Sequence, residues 1–83
     1  MPVTFEFSET EGGGAVTIEQ KENGDILSTL EFAKNNVLAY VSNGYVTISL
    51  NTLFKITIER AKMIPAQASD ALATTFLQTI LYS

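Results

Sequence analysis

VLAYVSNGYVTISL, residues 37–50, decides how the rest of this chain is read. Apolar residues alternate with Tyr, Ser and Thr on both sides of Asn43-Gly44, and a period of two marks a strand with one dry face and one wet face. An Asn-Gly pair between two such runs is the strongest short hairpin signal, because both central positions of the tight turn need positive φ. Closing the hairpin there sets Val41 opposite Val46. Continuing downstream, Ile48 falls opposite Ile56 and Val46 opposite Ile58, with residues 51–53 as the next turn.

Upstream, a small word recurs. Thr, an apolar residue and Glu occupy residues 4–6, 17–19, 29–31 and 57–59. The unequal spacing excludes a solenoid, whose units repeat at a fixed period. An antiparallel meander accommodates the word instead. Pairing Thr4 with Glu19 and Glu6 with Thr17 sets Phe5 against Ile18 and Phe7 against Val16, leaving Glu11-Gly12 as a two-residue loop. Pairing Thr17 with Glu31 and Glu19 with Thr29 sets Ile18 against Leu30, leaving Asn23-Gly24-Asp25 as a three-residue loop. Phe32 opposite Val37 aligns Leu30 with Ala39. These registers predict one sheet of five to six strands, near residues 3–8, 15–20, 26–32, 37–42, 45–50 and 54–59, with every apolar set on one face. In that arrangement Thr stands across from Glu and the carboxylates stay diagonal, so the word is a surface pattern rather than an acid-base pair.

After Glu59 the period changes. Residues 60–68 contain Pro65 and form a crossover, and Ser69-Asp70 then supplies a helix cap. Leu72, Phe76 and Ile80, with Ala73, Leu77 and Leu81 beside them, predict an amphipathic helix over residues 69–82, with Asp70, Thr74 and Gln78 as its polar line. Three Thr residues weaken that helix, and the alternation from Thr75 to Leu81 also fits a strand. The expected fold is therefore α+β, a single domain over residues 1–83. Its C-terminal helix packs on the apolar face bearing Phe5, Phe7, Ile18, Leu30, Phe32, Val46, Ile48, Ile56 and Ile58.

Composition limits the chemistry. A chain of 83 residues buries only roughly 60–65% of its surface on folding. With no Cys there is no disulfide or thiolate zinc site, so stability must come from apolar packing, self-association or both. The chain also lacks His, which removes the commonest general base and most transition-metal sites. Gly12-Gly13-Gly14 leads into a strand without the Lys-Ser/Thr of a phosphate loop, and residues 22–25 lack the span of a calcium loop. No catalytic, cofactor-binding or metal-ligating residue is expected, and the protein is read as not an enzyme.

A net charge of −4 argues against nucleic acid, whose phosphates need a basic footprint. The charge is uneven. Residues 1–32 hold seven acidic groups against Lys21, while residues 33–83 hold four basic groups against Glu59 and Asp70. That asymmetry reads as a solubility feature, or alternatively as a head-to-tail contact between copies. The uncharged stretch 71–83 is too short and too rich in Thr and Gln to span a bilayer, and residues 1–20 show no leader pattern. A cytoplasmic or virion-assembled protein without membrane contact is the expectation.

The outward positions of the fourth and fifth strands are Leu38, Tyr40, Ser42, Tyr45, Thr47 and Ser49, with Leu27 and Thr29 beside them in a single sheet. Tyr and Leu among small hydroxyl residues compose a contact surface, so Leu38, Tyr40, Ser42, Tyr45 and Thr47 are the candidate interaction residues. The partner is expected to be a second copy of the chain or another structural protein. The alternative is a small ligand-binding module, for example for carbohydrate, using the gap between sheet and helix or the Tyr40 and Tyr45 surface.

Residues 37–81 also carry a resemblance. VLAYVSNGYVTISL, LFKITIERAKMIPAQ and SDALATTFLQTIL, a Tyr-flanked Asn-Gly hairpin, a Pro-containing crossover and a short helix, resemble small β-rich proteins of tailed bacteriophages, the head-decorating or connector accessory proteins. The resemblance implies a structural role in a virion or prophage, many copies, and no catalytic residues. It does not extend to the acidic hairpins of residues 3–32.

Overall fold

The computed structural model describes residues 2–82. It is an α+β fold of two mostly antiparallel sheets and one C-terminal helix. The first sheet comprises β1 (Val3–Glu9), β2 (Ala15–Glu22), β3 (Asp25–Ala33) and β7 (Met63–Ile64) in the order β3-β2-β1-β7. The second comprises β4 (Leu38–Ser42), β5 (Tyr45–Ser49) and β6 (Lys55–Glu59) in chain order. Helix α1 spans Asp70–Leu81.

The second sheet follows the expected registers. Val41 pairs with Val46, Val46 with Ile58 and Ile48 with Ile56. Asn43 and Gly44 have φ of 52° and 81°, the paired left-handed conformations that the tight turn requires. Asn51 closes the next turn, where its Oδ1 accepts from the Leu53 and Phe54 amides at 2.7 and 2.9 Å.

The first sheet departs from expectation in two places. Strands β1 and β2 pair two residues away from the predicted register: Phe7 faces Ile18, Phe5 faces Gln20, and Glu6 stands directly opposite Glu19. Residues 11–14 thereby form a four-residue loop rather than a two-residue one, held by the Thr10 amide on the Ala15 carbonyl and the Gly13 amide on the Thr10 carbonyl. Either loop keeps the apolar set on one face, and three adjacent glycines close both without a steric preference. Between β2 and β3, Ile18 does face Leu30, and Thr17 faces Glu31. The turn beyond is the two-residue Asn23-Gly24, with Glu22 opposite Asp25, and a bulge near Gln20 and Lys21 absorbs the resulting one-residue mismatch.

The larger correction is that Phe32 does not pair with Val37 and the single sheet does not form. Residues 34–37 leave the β3 edge instead. The Asn35 amide donates to the Leu81 carbonyl at 3.0 Å, at the end of α1, with Asn35 itself at φ 67°. Tyr82 then takes the place a β3 backbone would have had: its hydroxyl donates to the Val37 carbonyl at 2.8 Å and accepts from the Ala39 amide at 3.2 Å. With these two backbone groups at the start of β4 satisfied by a side chain, the second sheet turns its inner face onto the first. Two small sheets and a helix enclose one core, which suits a short chain better than a flat sheet with a single helix on it.

The crossover also contains structure that periodicity did not indicate. Residues Arg60–Lys62 form a 3-10 turn, and Met63–Ile64 add a seventh strand, parallel to β1. Met63 is fully buried there. Helix α1 begins where expected, with the Ser69 hydroxyl accepting from the Leu72 amide at 3.1 Å. Its three Thr hydroxyls donate to carbonyls four residues back, at Asp70, Ala71 and Thr75, so their polar groups are satisfied on the helix surface. The buried stripe is Ala73, Leu77, Ile80 and Leu81, with Phe76 edge-on to Phe7 at a ring separation of 6.0 Å. These side chains meet Phe7, Val16, Ile18, Phe32, Val46, Ile48, Ile58 and Met63 in one core, while Phe5, Leu30 and Ile56 of the expected set lie half-buried at its margin. Among the described residues, no helix is long and apolar enough to cross a membrane.

Candidate interaction surface

The β4–β5 hairpin places its side chains by simple alternation. Ala39, Val41, Val46 and Ile48 face inward, and the pairs Leu38 with Ser49, Tyr40 with Thr47 and Ser42 with Tyr45 face outward. Leu38, Tyr40, Ser42 and Tyr45 are exposed as expected; Tyr40 and Tyr45 retain 51% and 50% of their full accessibility. Thr47 is different. It retains only 6%, because β5 is the central strand and Thr47 lies between Tyr40 on β4 and Thr57 on β6. Thr47 therefore supports the tyrosine face from beneath and offers little surface of its own. Leu27 and Thr29, expected beside this face, belong to β3 in the other sheet.

The outer face is divided along its length. Its β4–β5 half carries no charge, whereas β6 adds Lys55, Thr57 and Glu59 opposite Ser49, Thr47 and Tyr45. Glu59 is paired with Lys62 at 3.0 Å. The turn at one end of the face is anchored to the helix start. Asp70 receives the Arg60 guanidinium at 2.9 Å and the Gly44 amide at 3.3 Å, and the Gly44 carbonyl accepts from the Arg60 amide at 2.8 Å. A rigid turn holds the two tyrosine strands in a defined relation, which favours docking over a mobile loop of the same composition.

The Thr-x-Glu word does line a solvated face, with one change to its electrostatics. Because Glu6 and Glu19 stand opposite one another, the like charges need a counterion, and Lys21 supplies it at 2.6 Å from Glu6 and 3.7 Å from Glu19. The hydrogen bond to Glu6 holds the Lys21 ammonium above the ordinary lysine range, reinforced by the charges of Glu6 and Glu19. A raised folded-state value means the pair's stabilisation is complete below the unfolded lysine value of about 10.4 and is lost as pH rises through the folded one. The parent should therefore lose more stability than Lys21→Met on going from neutral pH to above the folded-state value, measured by urea unfolding of both at each pH. Equal losses would show that the bridge does not persist in solution. Among the described residues, no three His, Cys, Asp or Glu side chains converge as a metal site would require.

The structure relocates the space available to a small molecule. Where the helix meets the sheets, Ala73, Leu77 and Leu81 are buried. The opening lies instead between the sheets, a cleft of about 460 Å³. The first sheet contributes Phe5, Ile18 and Leu30 to it, and the second contributes Phe54, Ile56 and Ile58. At the rim, the Ser28 hydroxyl donates to the Gln20 side-chain carbonyl at 2.9 Å. Periodicity finds Phe5, Ile18, Leu30, Ile56 and Ile58 as core, without Phe54, but only the separation of β3 from β4 turns them into cleft walls. No protein-family model, curated protein or solved structure matches the chain.

Proposed function

We propose that this protein is a non-enzymatic interaction subunit that works by self-association, with the outer face of the β4–β5 hairpin as a contact surface. The observation that carries the reading is the exposure of Leu38, Tyr40 and Tyr45 on one uncharged face of a rigid hairpin. Tyr combines a large apolar ring with a hydroxyl that finds partners at an interface, and it loses little side-chain freedom on docking. A small domain without disulfides also gains stability when copies cover such a face. The acidic first hairpins and the mildly basic remainder supply a means of orienting neighbours. Its setting in a phage particle or prophage rests on the sequence resemblance alone.

The test is light scattering after size-exclusion chromatography on the parent and on the variant Tyr40→Glu plus Tyr45→Glu, with circular dichroism to check that the variant folds. The parent is expected as a dimer or larger assembly, and the folded variant at lower mass, since two new carboxylates would be buried unpaired in the contact. A monomeric parent at high micromolar concentration, or a variant with the parent's mass, would overturn the assignment.

A further inference from the structure

The cleft between the sheets is graded from a polar mouth to a dry floor. On the first sheet the row at the mouth is Phe5, Gln20 and Ser28, in register across β1, β2 and β3, and the next row in is Phe7, Ile18 and Leu30. On the opposite wall burial deepens from exposed Phe54 through half-buried Ile56 to buried Ile58. Alternation puts the mouth row on the apolar face of the sheet, yet two of its three residues are polar. They are joined to each other: the Ser28 hydroxyl donates to Gln20 Oε1 at 2.9 Å. That bond leaves the Gln20 amide NH2 to donate and the Ser28 oxygen to accept, and neither residue has a further side-chain partner among the described residues.

We infer that the cleft is a binding site for a small neutral amphiphile, whose aliphatic chain lies against Leu30, Ile56 and Ile58 and whose hydroxyl is held at the mouth between Gln20 and Ser28. Three observations select that chemistry. The volume of about 460 Å³ lies in the lower part of the roughly 300–1,000 Å³ range of small-molecule sites, enough for one medium-length chain and too little for a two-chain lipid. No lining residue is charged, so nothing in the walls offsets the desolvation of an ionic group. A hydroxyl both donates and accepts, which matches the NH2 and the oxygen that the Gln20–Ser28 pair leaves open. The solvated face of the same strands carries Glu19 and Glu31, which weighs further against a carboxylate head. The site goes beyond self-association and does not depend on it, since Tyr40 and Tyr45 lie on the outer face of the second sheet.

The probe is n-octanol, titrated below its solubility limit into the isotope-labelled chain and followed by amide chemical shifts. Saturable shifts concentrated at residues 28–30 and 56–58 are expected, and octanoate at neutral pH is expected to bind about tenfold more weakly or worse. Gln20→Leu separates recognition from simple partition into an apolar cleft. It makes the mouth more apolar, yet is expected to weaken n-octanol binding about tenfold, because the hydroxyl loses its donor. Ile56→Phe, at a half-buried wall position, is expected to fill the cleft and remove the shifts, with circular dichroism to check that each variant folds. No saturable shift at these residues, shifts centred on the Tyr40 and Tyr45 face, octanoate binding as tightly as n-octanol, or a folded Gln20→Leu chain binding as tightly as the parent would overturn the inference. So would cleft amides that shift with protein concentration and not with n-octanol, which would assign the cleft to a second copy of the chain.

Discussion

Leu81→Ala is expected to lower the unfolding free energy by about 2–5 kcal/mol, the span seen for emptying a buried leucine site. Leu81 has no exposed surface, and it closes the core where α1 meets both sheets. Its backbone carbonyl also receives the Asn35 amide, which ties the end of α1 to the β3–β4 connection beside the cavity. For a domain of this size, whose whole stability is of the order of 5–10 kcal/mol, that loss brings the folded state close to its limit. Urea unfolding followed by circular dichroism reads it as a fall in midpoint. Leu72→Ala provides the contrast. Leu72 belongs to the same sequence stripe but is 54% exposed, and its loss should cost about 0.5 kcal/mol or less. Similar costs at the two positions would mean that α1 rests on a different face.

Gly44→Val should cost about 1–3 kcal/mol, by backbone strain alone. Gly44 has φ 81°, and a Cβ built there meets nothing within 4 Å, so the penalty is conformational and cannot be relieved by moving a neighbour. The strain has tertiary consequences. Gly44 bonds to Asp70 through its amide and to the Arg60 amide through its carbonyl, so a distorted turn also loosens the start of α1 and the Arg60–Asp70 ion pair. Gly14→Ala is the matching control, at a glycine outside the left-handed region with open space around it, and it should shift stability by no more than a few tenths of a kcal/mol. The comparison is made by thermal and urea unfolding. Equal stability of Gly44→Val and the parent would show that the turn is not held in the left-handed conformation.

What the sequence by itself determined is everything that adjacent residues can enforce. The Asn43-Gly44 turn admits one register, and from it the Val41, Val46, Ile48, Ile56 and Ile58 pairings follow by alternation. Ser69 marks the helix start because an amide end without partners needs an oxygen there. The outward exposure of Leu38, Tyr40, Ser42 and Tyr45 follows from the same period of two. Ambiguity entered where local rules were degenerate. Three consecutive glycines close β1 on β2 in either of two registers, and the choice that puts Glu6 opposite Glu19 becomes tolerable only because Lys21 reaches both.

What only the tertiary structure decided depends on residues far apart in the chain. In the division into two sheets the Tyr82 hydroxyl satisfies the Val37 carbonyl and Ala39 amide, a contact across more than forty positions that no turn rule anticipates. The two-residue strand at Met63–Ile64 is too short to show a period, and exists because β1 has a free edge for it. Thr47 reads as outward from alternation, yet is covered because β5 is flanked on both sides. The cleft is the clearest case. Phe5, Leu30 and Ile56 are core by pattern, yet they line a cleft and stay half-buried, because alternation specifies which side of a strand is apolar, whereas the placement of one sheet against another specifies what that side meets.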